Sequence, residues 1–136
     1  MGNIQKEVQV KLAKGLLDLI VLQFLSLQPM HGYQIITKIR RGFGVYFGPS
    51  TIYPLLASLE KKGWVSSEWS MHNERPRKVY NLTTEGQTML NFTENSLNLI
   101  CRKIGASQND DVTVGSSNRA SLNPIIKKIG TQKSII

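Results

Sequence analysis

The sequence has a single cysteine, Cys101, and only two histidines among its 136 residues. One cysteine excludes an internal disulfide framework and a zinc site built from several cysteines. The histidines, His31 and His72, fall in different predicted elements, with no nucleophile motif, carboxylate pair or phosphate-binding loop in the chain to complete a catalytic site. The sequence therefore predicts a protein that is not an enzyme and that uses no metal or other cofactor.

The chain also lacks a long apolar run. Its longest, from Leu16 to Leu27, is interrupted by Asp18, Gln23 and Ser26, and it is shorter than the roughly 20 residues that a membrane-spanning helix needs. The opening segment, MGNIQKEVQVKLAK, is too polar and too mixed in charge for a secretory signal. We therefore expect a cytoplasmic protein with no membrane partner.

Acidic residues are scarce: nine stand against 17 Lys and Arg, which gives a formal net charge of +8. Such an excess points to nucleic acid or to an anionic membrane surface, and the placement of the charges has to decide between them. The hydrophobic fraction of 40% is enough for one small core.

Apolar spacing and turn residues predict a mainly α fold with a small two-stranded β-wing. The third helix has the clearest inward face, because Ile52, Leu55, Leu56 and Leu59 recur at helical spacing. Pro54 conflicts with the interior of that helix, since proline has no N–H to donate. The predicted elements are a first helix over roughly 6–27, a second from near His31, a third over 49–62, strands over 64–71 and 77–82 joined by the polar residues 72–76, and a long helix capped by Thr83 or Thr84.

Three helices followed by a hairpin form a winged helix-turn-helix, in which the third helix enters the DNA major groove and the wing grips the phosphate backbone. The basic side chains fall on predicted polar faces, which favours DNA over a membrane. Plain N-capping is the alternative role for Ser50 and Thr51. The predicted DNA-binding residues are Lys38, Arg41, Ser50, Thr51, Tyr53, Ser58, Arg75, Arg77 and Lys78.

The last helix carries apolar residues at alternating steps of three and four, a spacing typical of a coiled-coil seam. The predicted homodimer interface consists of Leu90, Thr93, Leu97, Ile100 and Ile104. Packing of this face on the chain's own first helix is the alternative. The domain organisation is then a DNA-binding domain over 1–83, a dimerisation helix over 84–104, and a linker and tail over 105–136, partly disordered or forming a short amphipathic helix.

Residues 16–83 resemble the PadR family of winged-helix transcriptional regulators. The motifs that carry the resemblance are QPMHGY at 28–33, STIYPLL at 50–56, LEKKGWV at 59–65 and RKVYNLTTEG at 77–86. They occur in the family's order and with compatible spacing. A DNA-binding regulator is the expected function, and a non-specific architectural DNA-binding protein and a winged-helix protein-interaction module are the alternatives.

The resemblance implies a homodimer that is joined mainly through the C-terminal helix and that represses transcription from an inverted-repeat operator. It also implies that Pro54 is tolerated inside the recognition helix, and that Ser50, Thr51 and Tyr53 contact the operator. His31 belongs to the turn that opens the second helix, where we expect a structural role. Family members often bind effectors between aromatic residues at the dimer interface, but the last helix offers only Phe92, with Met89 nearby, so the sequence identifies no effector.

Overall fold

The computed structural model describes residues 2–109, so the part of the predicted tail beyond residue 109 lies outside the described residues. Residues up to Met89 form one compact unit, and a second unit begins at Leu90. The predicted fold class, helices with a small antiparallel sheet, is confirmed. The elements are α1 (Gly2–Gly15), α2 (Leu17–Leu27), β1 (Met30–His31), α3 (Gly32–Phe43), α4 (Pro49–Lys61), β2 (Val65–His72), β3 (Arg75–Leu82) and α5 (Thr84–Asn109).

Helices α2, α3 and α4 supply most of the core of the first unit. The predicted inward face of α4 is confirmed, since Ile52, Leu56 and Leu59 are fully buried and Leu55 is half-buried. Ile35 and Ile39 of α3 are fully buried as well. Helix α2 is apolar on nearly every side, and the single chain covers most of it. Its buried residues are Leu17, Leu19, Ile20, Val21, Leu22, Gln23, Phe24 and Leu25.

The single helix predicted over residues 6–27 is two helices. They are separated at Leu16, whose ψ angle of 11° departs from helical geometry. The Leu16 N–H is shared between the carbonyls of Leu12 and Ala13, at 3.0 and 3.2 Å. Gly15 precedes the break, and glycine is a poor helix former because its backbone loses the most freedom on ordering.

The sheet has three strands in the order β1-β3-β2, all antiparallel, rather than the predicted two. Strand β1 pairs Met30 with Tyr80 and is too short to produce an alternating pattern. The β2–β3 connection is also tighter than predicted. It is a two-residue turn in which Asn73 and Glu74 both have positive φ angles, 51° and 62°, as a type I′ hairpin turn requires.

The start of α5 is fixed against the end of α4. Thr83 is the N-cap, one of the two residues predicted for that position. Its Oγ1 accepts from the Gly86 N–H at 3.0 Å and donates to the Gly63 carbonyl at 2.7 Å. The Thr83 N–H donates to the Trp64 carbonyl at 3.1 Å. Gly86 lies so close that a Cβ there would be 2.0 Å from the Trp64 oxygen. The helix continues to Asn109, beyond its predicted end at residue 104.

Candidate nucleic-acid interface

The first turns of α4 present small and aromatic side chains to solvent. Ser50 is exposed, Thr51 is half-buried, and Tyr53 is 42% exposed. Gly48 is the N-cap of α4, and the helix start has no side-chain cap. The capping alternative for Ser50 and Thr51 is therefore wrong. Pro54 lies inside the helix, as the resemblance implied.

The ring of Tyr53 packs on the first residue of α3. A Cβ added to Gly32 would lie 2.6 Å from the Tyr53 Cε1 and Cζ atoms, so glycine is needed there if the ring is to keep its place. Tyr33, which follows Gly32 in the chain, is 68% exposed. The close approach brings the N-terminal end of α3 against the outward-facing part of α4.

His31 connects the start of α3 to the wing. The His31 ring accepts at Nδ1 from the backbone N–H of Gln34, at 3.3 Å, and the backbone N–H of His31 donates to Gln34 Oε1, at 3.0 Å. The two bonds together form a capping box. This is the structural role that the sequence suggested. The other ring nitrogen, Nε2, lies 2.9 Å from Nη1 of Arg77, a contact across 46 residues of sequence that no local pattern predicts.

The strand register divides the predicted basic residues of the wing between its two faces. Directly paired residues point to the same side of an antiparallel sheet. Arg75 and Arg77 pair with His72 and Ser70, whereas Lys78 pairs with Trp69. Since residues one position apart in a strand alternate in direction, the two arginines lie on one face and Lys78 lies on the other.

Lys78 points back toward α4. Its Nζ lies 3.7 Å from Glu60 Oε1 and 5.8 Å from the centroid of the Tyr80 ring. Ser67 donates a hydrogen bond to the same carboxylate. An ion pair this exposed adds little stability, but it engages the charge of Lys78 within the protein. Among the predicted wing cations, Arg75 and Arg77 are the exposed ones.

Tyr80 lies beneath this group. Burial, followed by the negative charge of Glu60 and the proximity of Tyr53, raises the pKa of the Tyr80 phenol above its usual value. The Tyr80 hydroxyl therefore stays neutral into alkaline solution.

Lys38 and Arg41 lie toward the opposite end of α3 from the Tyr53 and Arg77 contacts. At a rise of about 1.5 Å per residue, Arg41 is roughly 13 Å along the helix axis from Gly32. Lys38 is half-buried, with its Nζ 5.3 Å from the centroid of the Phe24 ring. Arg41 and Ser58 are exposed. The predicted DNA-binding set is thus not one cluster: Tyr53 and Arg77 each contact a residue at the start of α3, and Lys38 and Arg41 lie toward the other end of that helix.

The predicted interface residues of α5 differ in exposure. Leu90 is fully buried within the single chain, Thr93 and Leu97 are half-buried, and Ile100 and Ile104 are 55% and 57% exposed. Phe92 and Leu99 were not predicted as interface residues, but they are also exposed, at 66% and 46%. The C-terminal half of this helix therefore carries uncovered apolar surface.

The wing exposes two apolar residues that the sequence did not single out as surface groups. Trp69 and Met71 of β2 are each 70% exposed. The alternating pattern places both on the face of Val65, which is buried. Their exposure arises because the hairpin extends past the core, and strand length beyond a core is not encoded in the alternation itself.

Two other kinds of site are absent from residues 2–109. No group of three or more His, Cys, Asp or Glu residues in this part of the chain is arranged to hold a metal ion. None of the described helices is long and apolar enough to cross a membrane.

Comparison with known proteins identifies relatives of this arrangement. The Transcriptional regulator PadR-like family matches residues 21–91. A PadR family transcriptional regulator from Eggerthella lenta is 30% identical and superposes with a TM-score of 0.70, covering 79% of this chain and 94% of that one. A transcriptional regulator from Clostridium thermocellum is 26% identical, with a TM-score of 0.63 and coverages of 69% and 94%. A PadR family regulator from Clostridium difficile is 26% identical, with a TM-score of 0.60 and coverages of 68% and 96%. Comparison with curated proteins gave no match.

Proposed function

The chain belongs to the PadR-like family of transcriptional regulators, and from this premise we propose that it represses transcription by binding an inverted-repeat operator as a homodimer. Members of this family are DNA-binding regulators and not enzymes. The observation that carries the proposal is the junction at the start of α3, where Gly32 contacts Tyr53 of α4 and His31 contacts Arg77 of the wing. This junction fixes a helix and a basic hairpin beside each other, as a winged helix requires for simultaneous groove and backbone contacts.

In this proposal α4 contacts the bases of the operator and the wing contacts its phosphates. Ser50, Thr51 and Tyr53 approach base edges in the major groove, where hydroxyl groups can donate or accept and an aromatic ring can touch a thymine methyl. Arg75 and Arg77 neutralise phosphates, because their guanidinium groups are exposed and share one face of the hairpin. Lys78 has the weaker case of the three wing cations, since Glu60 already engages its charge.

The homodimer is supported by apolar surface that a single chain leaves uncovered. On α1, Ile4, Val8 and Leu12 recur every fourth residue and are 66%, 52% and 59% exposed. On α5, Ile100 and Ile104 form a second exposed stripe. A monomer rarely keeps such stripes on two helices, because burying each large apolar side chain contributes about 1.5–3 kcal/mol. Two identical chains that match apolar helical faces form a closed assembly.

Binding of a selected inverted repeat and of random duplexes, at matched salt, tests the operator. We expect much tighter binding to the selected duplex. The double variant Arg75→Ala/Arg77→Ala should weaken binding to every sequence and reduce the slope of log K against log salt by about one to two units, because fewer counterions are released. Arg102→Ala, an exposed arginine on α5, is the matched control. Equal affinity for selected and random duplexes would instead favour the architectural alternative.

Light scattering on Leu97→Lys tests the dimer. A charge on the proposed interface should dissociate the dimer and abolish operator binding, since half-sites must be held together. Asn95→Lys introduces the same charge at an exposed position on the other side of α5 and should leave the dimer intact. A stable Leu97→Lys dimer would reject the interface. Repression itself is tested with a reporter gene behind the selected operator, whose expression should rise when the regulator is removed.

A further inference from the structure

The two faces of the wing differ: one carries Arg75 and Arg77, and the other carries exposed apolar side chains beside Lys78, whose charge Glu60 already engages. Trp69 and Met71 are alternate residues of β2 and therefore share a face, and the pairing of Met71 with Pro76 adds a third apolar residue to it. Both large side chains are 70% exposed. Behind them, on the reverse face, are Arg75 and Arg77. Exposed apolar patches of this kind mark contact surfaces.

The neighbouring charges limit what can cover this patch. The hairpin is only two strands wide beyond the core and ends in a two-residue turn, so a partner that envelops it meets both faces. A protein surface that covers only Trp69 and Met71 makes no use of the two exposed guanidinium groups on the reverse face. A DNA duplex offers both kinds of surface together, because apolar deoxyribose edges line the groove and phosphates border it.

We propose that Trp69 and Met71 pack against deoxyribose and base edges of the operator's minor groove while Arg75 and Arg77 bind the flanking phosphates. This inference rests on the proposed function and adds an apolar contact surface to it. Side chains such as Met and Pro are used as apolar wedges in minor grooves, and aromatic rings bind nucleic acid by stacking in a way that tolerates different sequences. The wing then contributes affinity by two physically distinct routes, of which only the ionic one depends on salt.

The salt dependence of binding distinguishes the apolar contact from the ionic one. Loss of an apolar contact releases no additional counterions, so the plot of log K against log salt shifts down without changing slope. We expect Trp69→Ser to weaken binding to the selected operator by about 10- to 100-fold at every salt concentration. Arg75→Ala/Arg77→Ala should change the slope. Ser66→Ala, at an exposed position of the same strand that pairs with Asn81 rather than with either arginine, should change neither quantity.

A loss of folding is excluded by thermal melting of the same variants. Because Trp69 is largely exposed, Trp69→Ser should melt close to the wild-type protein. Trp69→Phe keeps an aromatic ring and should recover much of the lost affinity. A parallel downward shift with an unchanged melting temperature supports the proposal, whereas a Trp69→Ser slope that flattens like that of the arginine variant overturns it.

Acrylamide quenching of tryptophan fluorescence tests the contact directly. Comparison of the wild-type protein with Trp69→Phe isolates the Trp69 signal from that of Trp64, which is half-buried. The operator should protect Trp69 from the quencher. If wild-type protein binds the operator selectively but Trp69 remains fully accessible, and Trp69→Ser binds normally, the apolar contact is rejected while the proposed function stands. If wild-type protein shows no selective DNA binding, both proposals fail.

Discussion

Replacement of Gly86 by alanine should destabilise the protein, although alanine is the better helix former. Gly86 lies in the first turn of α5, where intrinsic propensity alone favours alanine by about 0.5–1 kcal/mol. The added Cβ, however, would lie 2.0 Å from the Trp64 carbonyl oxygen. That is well inside an ordinary C···O approach of about 3.3 Å.

The backbone must therefore open by roughly 1.3 Å, judged against that ordinary contact distance. Opening stretches the Thr83 N–H bond to Trp64 O and disturbs the Thr83 hydroxyl bond to Gly63 O, which are now 3.1 and 2.7 Å long. Overpacking costs about 1–3 kcal/mol, and the two hydrogen bonds, weakened rather than lost, cost about 1 kcal/mol together. After the propensity gain is subtracted, we expect a net loss of about 2 kcal/mol in the free energy of unfolding.

Urea unfolding and thermal melting followed by far-UV circular dichroism measure this loss. A change of about 2 kcal/mol in a domain of this size lowers Tm by about 8–16 °C. Gly42→Ala is the matched control, because Gly42 lies in α3 and a Cβ there meets nothing within 4 Å. That variant should gain about 0.5–1 kcal/mol. A Gly86→Ala protein that melts at or above the wild-type temperature would refute the reasoning.

Three further predictions concern the interface and the wing. Gly32→Ala should bind the operator as weakly as Tyr53→Ala, because the new Cβ displaces the far end of the Tyr53 ring. It should still melt near the wild-type temperature, and unchanged affinity in a binding titration would contradict this. Glu74→Gly should raise the free energy of unfolding by about 0.5–1 kcal/mol by relieving the positive φ angle of 62°, whereas Glu74→Gln removes the same charge, keeps the strain and should gain nothing in urea unfolding. Tyr80 has a raised pKa in the folded chain through burial and Glu60, so its contribution to stability is complete below the unfolded value of about 10 and is lost as pH rises beyond it. Between neutral pH and about pH 11, the free energy of unfolding should therefore fall less steeply for Tyr80→Phe than for the wild-type protein. An identical fall in both proteins would argue against Tyr80 as the cause.

The sequence predicted the elements whose signals are local and periodic. The inward face of α4 follows from Ile52, Leu56 and Leu59 at helical spacing, and the start of α5 follows from the capping preference of Thr83. The motifs RKVYNLTTEG and STIYPLL added the family, which no periodicity could identify.

The remainder depends on contacts between distant segments. Strand β1 exists because Met30 meets Tyr80 fifty residues later, and two residues carry no strand pattern of their own. The strand register places Arg77 and Lys78 on opposite faces of the hairpin. The ion pair of Lys78 with Glu60, however, depends on where α4 places that glutamate. Burial of Leu90 within the chain was likewise invisible to a heptad pattern, which identifies an apolar face but not what covers it.

Two hydrogen-bond donors face the ring of His31, and the ring can accept from only one of them at a time. A neutral imidazole carries a hydrogen on one nitrogen, so it can accept a hydrogen bond at only one. Yet the Gln34 N–H faces Nδ1 and the Arg77 guanidinium faces Nε2. The two donors therefore compete for a single acceptor, and a phosphate that draws Arg77 away leaves the ring free to bind the helix start more tightly. His31→Asn keeps a capping oxygen and removes this competition, so bound DNA should slow hydrogen exchange at the Gln34 amide less in this variant than in the wild-type protein.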